Sequence, residues 1–468
     1  MMRRLTRRNS FLLMALSMGF LYSSLYMGLI VVNLRGASRA GRGEISVLLH
    51  FPLVALAGLG LYFLVKKGAE RLRALGVPLG VAGLGCILLP FLPETAFAGF
   101  FSGRLPLIAL SMALFTPVSL FLFFRTVAEG WEGLSVALVM VASELLWALI
   151  FPLIGDFSPQ PSSLAARHLF SLCAWMVGGA GLCLGATLAL AEPEAAPSAP
   201  VLDAPDGRKK WAALGLVFAA GLGTVSLRSL HMGVFIPKIA LSSELISIPH
   251  FTFLLLLPLA GRMMDTQPGK LMLLCLPVMA AIAALGLAWN QGLIGRMPLY
   301  YPLNFMQGLI ITMAYAGSAK LLKARPALIL LLVMAYSLVP MQFGGVLLRG
   351  FLEGRAYGLD AAGLLLALGT GFCLWRFRAL LAASPELWPS PDPDLHKFSV
   401  FAAAHGLTAR ERDIFSALLR SESREGMGQA LGLSGRTVRY HLTNLLKKTD
   451  MPNQKTLIDY YESWKRQP

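Results

Sequence analysis

The sequence has few charged residues for its length. Asp, Glu, Lys and Arg make up 14% of the 468 residues, whereas 56% are hydrophobic. The mean hydropathy is +0.64. A soluble protein of this size needs more charge on its surface and does not need so much apolar sequence in its core. The composition therefore argues against a soluble globular protein and indicates an integral membrane protein.

Cysteine is also scarce, and all five cysteines lie inside apolar runs: Cys86, Cys173, Cys183, Cys275 and Cys373. No two of them have the spacing of a zinc or redox motif, which argues against a disulfide framework and a metal site. The sequence also lacks a phosphate-binding loop, a kinase signature, a nucleophile elbow and paired catalytic carboxylates. We expect no enzymatic activity, no cofactor and no bound metal.

Long apolar runs dominate the sequence up to about residue 381. Roughly twelve of them are long enough to cross about 30 Å of hydrocarbon, and roughly ten is the alternative count. A charged segment rich in proline and alanine divides them into two sets. We predict a first six-span half at 1–191, a cytoplasmic linker at 192–210 and a second six-span half at 211–383. The runs lie at 11–32, 45–65, 74–92, 105–124, 133–155, 169–191, 211–236, 245–260, 271–289, 299–318, 327–349 and 359–381.

The arrangement of two six-span sets around a loop resembles the major facilitator superfamily. The segment GRMMDTQPGK, from Gly261 to Lys270, resembles a loop motif of that family, in which a glycine is followed by three residues, an aspartate and then basic residues. The resemblance implies an all-α transmembrane bundle of two similar halves. It also implies transport of a small molecule as one possible activity.

A proline-rich segment follows the last apolar run, with prolines at 385, 389, 391 and 393. We predict a tether at 384–397, which reaches roughly 40 Å if its residues are extended. Beyond it, at 398–468, the composition is that of a soluble domain. Thr408 and Glu411 have the spacing of a capping box at the start of a helix, and Ser434 can cap a later helix after a turn at Gly432.

The helix that follows Ser434 has two different faces. Val438, Leu442 and Leu445 recur at helical spacing and predict a buried face. The opposite face is basic and polar, and no acidic residue occurs between Ser434 and Thr449. Such a face suits the major groove of double-stranded DNA, with affinity that falls as salt rises. The candidate DNA-binding residues are Arg436, Thr437, Arg439, Tyr440, Thr443, Asn444, Lys447 and Lys448.

Two stretches of this domain resemble the LuxR/FixJ-type helix-turn-helix. They are LTARE, which starts at Leu407, and LSGRTVRYHLTNLLKK, which starts at Leu433. The resemblance implies a four-helix domain that binds double-stranded DNA. It further implies base contacts from Arg439, Tyr440 and Thr443, and a homodimer formed through the fourth helix.

Polar side chains inside the spans are costly and usually face a cavity or one another. Glu144 and Arg228 lie near the middle of spans in opposite halves, so they can form an ion pair or bind a charged ligand. A purely structural polar contact is the alternative. The candidate ligand-binding residues are Glu144, Arg228, His231, Asn304, Gln307 and Gln342.

The charge distribution predicts the orientation in the membrane. A DNA-binding tail must be cytoplasmic, and Arg3, Arg4, Arg7 and Arg8 favour the same side for the N-terminus, so the number of spans is even. We predict a multi-pass protein of the cell membrane that contacts lipid and an unknown small molecule. Its function is membrane-tethered transcription regulation, and a small-molecule transporter with a regulatory DNA-binding tail is the alternative.

Overall fold

The computed structural model describes residues 9–21, 42–92, 105–127, 130–150, 163–190, 207–232, 248–295, 297–322, 326–338, 342–352, 354–355, 357–384, 387–388, 393–419 and 423–465. The described residues are helical and contain no strand. The chain divides into two compact units, Met1–Phe377 and Arg378–Pro468. The all-α fold class predicted from the sequence is therefore confirmed.

The first unit contains the apolar helices, and every predicted run has a helix over its described residues. The helices are α1 (Asn9–Leu21), α2 (Arg42–Lys66), α3 (Gly76–Leu88), α4 (Leu105–Thr126), α5 (Glu132–Ile150), α6 (Ser163–Leu190), α7 (Gly207–Met232), α8 (Ile248–Thr266), α9 (Pro268–Asn290), α10 (Met297–Leu322), α11 (Ala327–Ser337), α12 (Gln342–Leu352) and α13 (Gly358–Ala383). Short 3₁₀ helices, Ala69–Leu75 and Leu89–Phe91, flank α3. The eleventh run comprises two helices, α11 and α12, separated by 339–341, which lie outside the described residues.

Six segments among the described residues are long and apolar enough to cross a membrane. Four shorter apolar helices accompany them, so the count of roughly twelve spans stays a prediction. Residues 192–206, which are most of the linker predicted at 192–210, lie outside the described residues. The N-terminal arginines also lie outside them. The qualifying segments are Arg71–Phe91, Leu107–Thr126, Phe170–Leu190, Arg208–His231, Pro268–Asn290 and Gly358–Ala383.

Glycines allow some helices of this unit to approach very closely. A methyl group at Gly83 of α3 would come within 2.7 Å of the Gly178 carbonyl oxygen of α6. Helices α5 and α8 also approach closely. A methyl group at Gly133 of α5 would lie 2.6 Å from the Gly261 carbonyl oxygen of α8, and one at Gly261 would lie 2.6 Å from the Gly133 carbonyl oxygen. Small residues at such crossings allow backbone packing, which holds helices together where lipid removes the hydrophobic driving force. The α5–α8 crossing joins the two predicted halves.

The second unit contains five further helices, α14 (Pro393–Ala404), α15 (Ala409–Leu419), α16 (Arg424–Leu431), α17 (Gly435–Thr449) and α18 (Gln454–Lys465). An aromatic cluster fills its core. The Phe401 ring of α14 lies 5.5 Å from that of Phe415 on α15 and 5.1 Å from that of Tyr461 on α18. Burial of such rings stabilises the unit by several kcal/mol, on the order of 2 per ring.

Helix α14 begins inside the segment that the sequence assigned to the tether. Pro393 is its first residue, a position at which proline is favoured because the missing N–H is not needed there. Residues 393–397, predicted as extended tether, are thus helical and belong to the folded domain. The apolar spacing of Phe398 and Phe401 explains this, because both rings pack into the core. Of the remaining tether, Ser384, Leu387 and Trp388 are buried, and 385–386 and 389–392 lie outside the described residues.

Candidate nucleic-acid interface and polar sites of the membrane unit

The capping interactions predicted for the C-terminal domain are present. The Thr408 N–H donates to Glu411 Oε2 at 2.7 Å, and the Glu411 N–H donates to Thr408 Oγ1 at 3.3 Å, which completes the capping box of α15. Ser434 Oγ accepts the Thr437 N–H at 3.2 Å and so caps α17. Because capping of this kind satisfies N–H groups that the helix leaves open, each α-helix starts at a defined residue.

The turn between α16 and α17 depends on two glycines. Gly432 has φ 63°, in the left-handed region that favours glycine. A methyl group at Gly428 would come within 2.8 Å of the Leu433 carbonyl oxygen, so only glycine permits the close approach of the turn to α16. This turn sets the angle at which α17 leaves α16, as a helix-turn-helix requires.

Helix α17 is buried on one side and open on the other. Val438, Leu442 and Leu445 lie in the core, as the spacing predicted. The opposite side carries all eight candidate DNA-binding residues, which we call the basic face of α17. Six of them are exposed, and Thr437 and Asn444 are half-buried. Tyr440 has 64% of its surface exposed, more than any other large apolar side chain among the described residues of the domain.

Lys448, at the end of the basic face, contacts the rest of the domain. Its Nζ lies 2.7 Å from Glu411 Oε2 and donates to the Gly406 carbonyl oxygen at 3.0 Å. Burial raises the pKa of the Glu411 carboxyl, but the hydrogen bonds from Lys448 and Thr408 lower it more, so the pKa lies below its ordinary value. Glu411 thus connects the start of α15 to the last turn of α17.

Replacing Glu411 with glutamine should destabilise a fragment of residues 390–468, which has its own core, by about 1 to 3 kcal/mol. The wild-type contribution is present above the ordinary carboxyl pKa and is lost as the pH falls through the lower pKa of the folded state. Thermal unfolding between about pH 2.5 and 7 measures both effects. The Glu425→Gln variant, which changes an exposed acid at the start of α16, should leave this pH dependence intact.

Among the candidate ligand-binding residues, the structure brings Arg228 and Asn304 together. Arg228 Nε of α7 donates to Asn304 Oδ1 of α10 at 2.8 Å. Gln307, one turn further along α10, has a buried Oε1 atom for which the described residues provide no hydrogen-bond donor. The side chains of Glu144 on α5 and Gln342 on α12 lie outside the described residues, so the predicted approach of Glu144 to Arg228 stays a prediction.

His231 is buried at the end of α7, with 4% of its surface exposed. Its imidazole lies against Gly286 of α9 and Gly363 of α13. It therefore belongs to a different polar group from Asn304 and Gln307, although it is only three residues from Arg228.

A buried charged group at the α5–α8 crossing was not identified from the sequence as a site. Asp265, at the end of α8, accepts the Gly133 N–H with Oδ1 and the Leu134 N–H with Oδ2, both at 2.9 Å. Its Oδ1 also lies 3.3 Å from Lys320 Nζ of α10, which is 3.8 Å from Glu132 Oε2. A side chain of one half thus caps a helix of the other. The aspartate of the GRMMDTQPGK motif was the available signal, but the motif does not reveal its partners.

Comparison with known proteins agrees with both resemblances. Residues 405–461 match the family described as bacterial regulatory proteins, luxR family. A crystal structure of a major facilitator superfamily transporter, FucP, in the outward conformation is similar to this chain with a TM-score of 0.50 and 14% identity. That similarity covers 79% of this chain and 97% of the transporter. Comparison with curated protein sequences gave no match.

These findings establish the two parts of the chain. Its C-terminal segment is a luxR-family helix-turn-helix domain. Its membrane unit has a major-facilitator-like fold, which by itself does not indicate transport.

Proposed function

We propose that this protein is a membrane-bound one-component transcription regulator. The observation that carries the proposal is the joining, in one chain, of a luxR-family DNA-binding domain to a major-facilitator-like bundle. The membrane bundle senses a ligand or a condition of the membrane, and the C-terminal domain binds promoter DNA. A signal reaches the DNA because it shifts the bundle between two conformations that differ in how they present the domain.

DNA contact is assigned to the basic face of α17. Arg439, Tyr440 and Thr443 read base edges, and Arg436 and Lys447 contact phosphates. Thr437 and Asn444 contribute hydrogen bonds from the margin of the face. Lys448 contributes less to phosphate contact than Lys447, because Glu411 already neutralises part of its charge.

Double-stranded DNA is bound by a homodimer formed through α18. One side of α18 packs on the core through Leu457 and Tyr461, and α14 contacts the same helix through the Asp394–Lys465 ion pair, 2.9 Å long. Lys455, Asp459 and Ser463 form an exposed stripe at a spacing of four residues. We assign this stripe to the contact with the second copy of the chain.

The ligand site is assigned to the middle of the bundle. Arg228 offers a cation and Asn304 and Gln307 offer amides, which together suit an anionic or polar small molecule. Glu144 of α5 and Gln342 of α12 are assigned to this site from the sequence alone, and His231 borders it. Both termini are cytoplasmic in this arrangement, and roughly twelve spans contact membrane lipid.

The charged group at the α5–α8 crossing provides a way to couple the halves. The cap of Asp265 on α5 and the ion pair between Glu132 and Lys320 form only when the halves approach at this end. A ligand that separates them here must compensate for breaking these contacts, so its binding energy is converted into a conformational change.

A second function is favoured by a specific observation, the similarity of the bundle to a transporter over most of the chain. In that case the protein is a small-molecule transporter, and the DNA-binding tail regulates transcription as a secondary role.

Two measurements distinguish these functions. The intact chain in lipid nanodiscs should bind DNA from around its own gene, with an affinity that falls steeply with salt. A chain truncated after Ser384 should show ligand binding without uptake in proteoliposomes. Uptake by the truncated chain would favour the transporter, and absence of DNA binding at low salt would refute the regulator.

A further inference from the structure

Five polar residues of the second half form a cluster of which only His231 was singled out from the sequence. We call it the His231 cluster, and its members are His231, Asn290, Gln291, Arg349 and Asp360. Asn290 Nδ2 donates to Asp360 Oδ1 at 2.8 Å, and Gln291 Nε2 donates to Asp360 Oδ2 at 2.9 Å. Arg349 Nη1 donates to the backbone carbonyl oxygen of His231 at 3.2 Å. The cluster therefore links α7, α9, α12 and α13.

The imidazole of His231 fills a narrow slot in this cluster. A methyl group at Gly286 of α9 would come within 2.8 Å of Nε2, and one at Gly363 of α13 within 3.0 Å. With 4% of the residue exposed, water has little access to the ring. Among the described residues, the charged groups that act on the imidazole are Arg349 on α12 and Asp360 on α13.

The cluster lies at the N-terminal end of α13, and the chain continues from the opposite end of this helix into the C-terminal unit. α13 runs for 26 residues from Gly358 to Ala383, or about 39 Å. α9 likewise starts just after Asp265, at the crossing of the halves, and ends at the cluster. Gln291, which is exposed, connects the cluster to water at that end.

We propose that the His231 cluster is a proton-responsive site that reports the pH of the compartment on the far side of the membrane to the DNA-binding domain. The inference rests on the proposed function and names one input of the sensor. Imidazole is the side chain whose charge ordinarily changes between about pH 5 and 8.

The chemistry of the cluster explains the response. A proton on His231 places a second positive charge beside Arg349 at a buried site. The single carboxylate of Asp360, which already accepts hydrogen bonds from two amides, does not balance both cations, and an excess charge at a buried site is costly. A conformation in which α13 moves away from α7 and α9 admits water to the ring and accommodates that charge. Acid therefore favours this second conformation by linkage. Because the chain continues from the end of α13 into the C-terminal unit, a movement of α13 is transmitted along the chain to the DNA-binding domain.

Proteoliposomes that contain the intact chain test the proposal. DNA added outside reaches only the molecules whose C-terminal domain faces outward, and their His231 clusters then face the lumen. The lumen is buffered at values from about pH 5 to 8 while the outer buffer is constant. The probe is a labelled DNA fragment selected from random sequence by the intact chain. We expect its affinity to change by about fivefold or more across the series of lumen pH values.

Two variants separate the charge of His231 from its packing. His231→Gln keeps a neutral polar side chain. At every lumen pH, its affinity for DNA should equal the value that the wild type has at lumen pH 8. His231→Arg keeps a positive charge and should hold the affinity at the wild-type value for lumen pH 5. If His231→Arg fails to reconstitute, the glutamine variant alone decides. The matched control His405→Gln, in the C-terminal domain, should keep the wild-type response.

Each contrary outcome has one meaning. DNA binding that is equal at all lumen pH values would overturn the proton site and leave the regulator standing. A glutamine variant with the wild-type response, or glutamine and arginine variants at one common level, would overturn it too. Absence of DNA binding at every lumen pH would instead refute the proposed function.

Discussion

Replacing Arg439 and Tyr440 together with alanine should abolish the sequence preference of DNA binding and leave the fold intact. Both side chains are exposed on α17, whereas the core contacts of this helix come from Val438, Leu442 and Leu445. Each base contact contributes about 1 to 3 kcal/mol of discrimination. The loss of two, about 2 to 6 kcal/mol if they are additive, should lower specific affinity by roughly 30- to 20,000-fold, with nonspecific affinity changed far less. Competition between specific and random DNA measures the ratio.

The Lys447→Ala variant is the matched comparison. It removes an exposed cation from the same face, and it should weaken binding to specific and random DNA alike and reduce the salt dependence by about one charge. The Arg410→Ala variant, on α15, removes an exposed cation that has no assigned role and so controls for the loss of positive charge elsewhere. Unchanged sequence preference in the Arg439/Tyr440 double variant would show that another surface reads the bases.

Replacing Asp265 with alanine should destabilise the membrane unit strongly. The substitution removes the closer of two carboxylates, Asp265 at 3.3 Å and Glu132 at 3.8 Å, from Lys320, whose side chain is 3% exposed. It also leaves the N–H groups of Gly133 and Leu134 without their acceptor. Removing one partner of a buried ion pair costs about 3 to 5 kcal/mol. Thermal unfolding of the intact chain in detergent should show the loss as a lower midpoint for the membrane unit.

The partner residues provide the controls. Asp265→Asn retains one acceptor oxygen and should lose less stability than alanine. Adding both Lys320→Met and Glu132→Gln to Asp265→Ala removes the remaining buried charges of the group and should recover part of the loss. Asp413→Ala, which changes an exposed acid on α15, should leave the membrane unit unaffected. If Asp265→Ala unfolds at the wild-type temperature, the crossing contributes little to holding the halves together.

The C-terminal domain was predictable from sequence because its signals are local. The capping box at Thr408 and Glu411, the left-handed Gly432 and the cap at Ser434 each involve residues within a few positions of one another. The contact of Glu411 with Lys448 was not predictable, since it joins residues far apart in sequence. Lys448 therefore was assigned to the DNA-binding face alone.

The membrane unit shows the opposite relation between sequence and structure. Uniformly apolar runs locate the helices but do not say which faces meet, because lipid and neighbouring helices favour the same residues. Asp265, Glu132 and Lys320 meet from three helices, and no periodicity indicates their pairing. His231 was singled out as a polar residue in a span, but its neighbours Arg349 and Asp360 lie more than a hundred residues further along the chain. The start of helix α14 was missed because Pro393 at its first position and the prolines at 385, 389 and 391 before it indicated an extended tether.

Crosslinking of the intact chain to genomic DNA in living cells, followed by isolation of the membrane fraction, tests the central claim most directly. We expect a discrete DNA site to be recovered with the membrane-bound chain, and we expect that site to be lost with the Arg439/Tyr440 double variant. Recovery of no discrete site with the intact chain, or of the same site with the double variant, would contradict the claim.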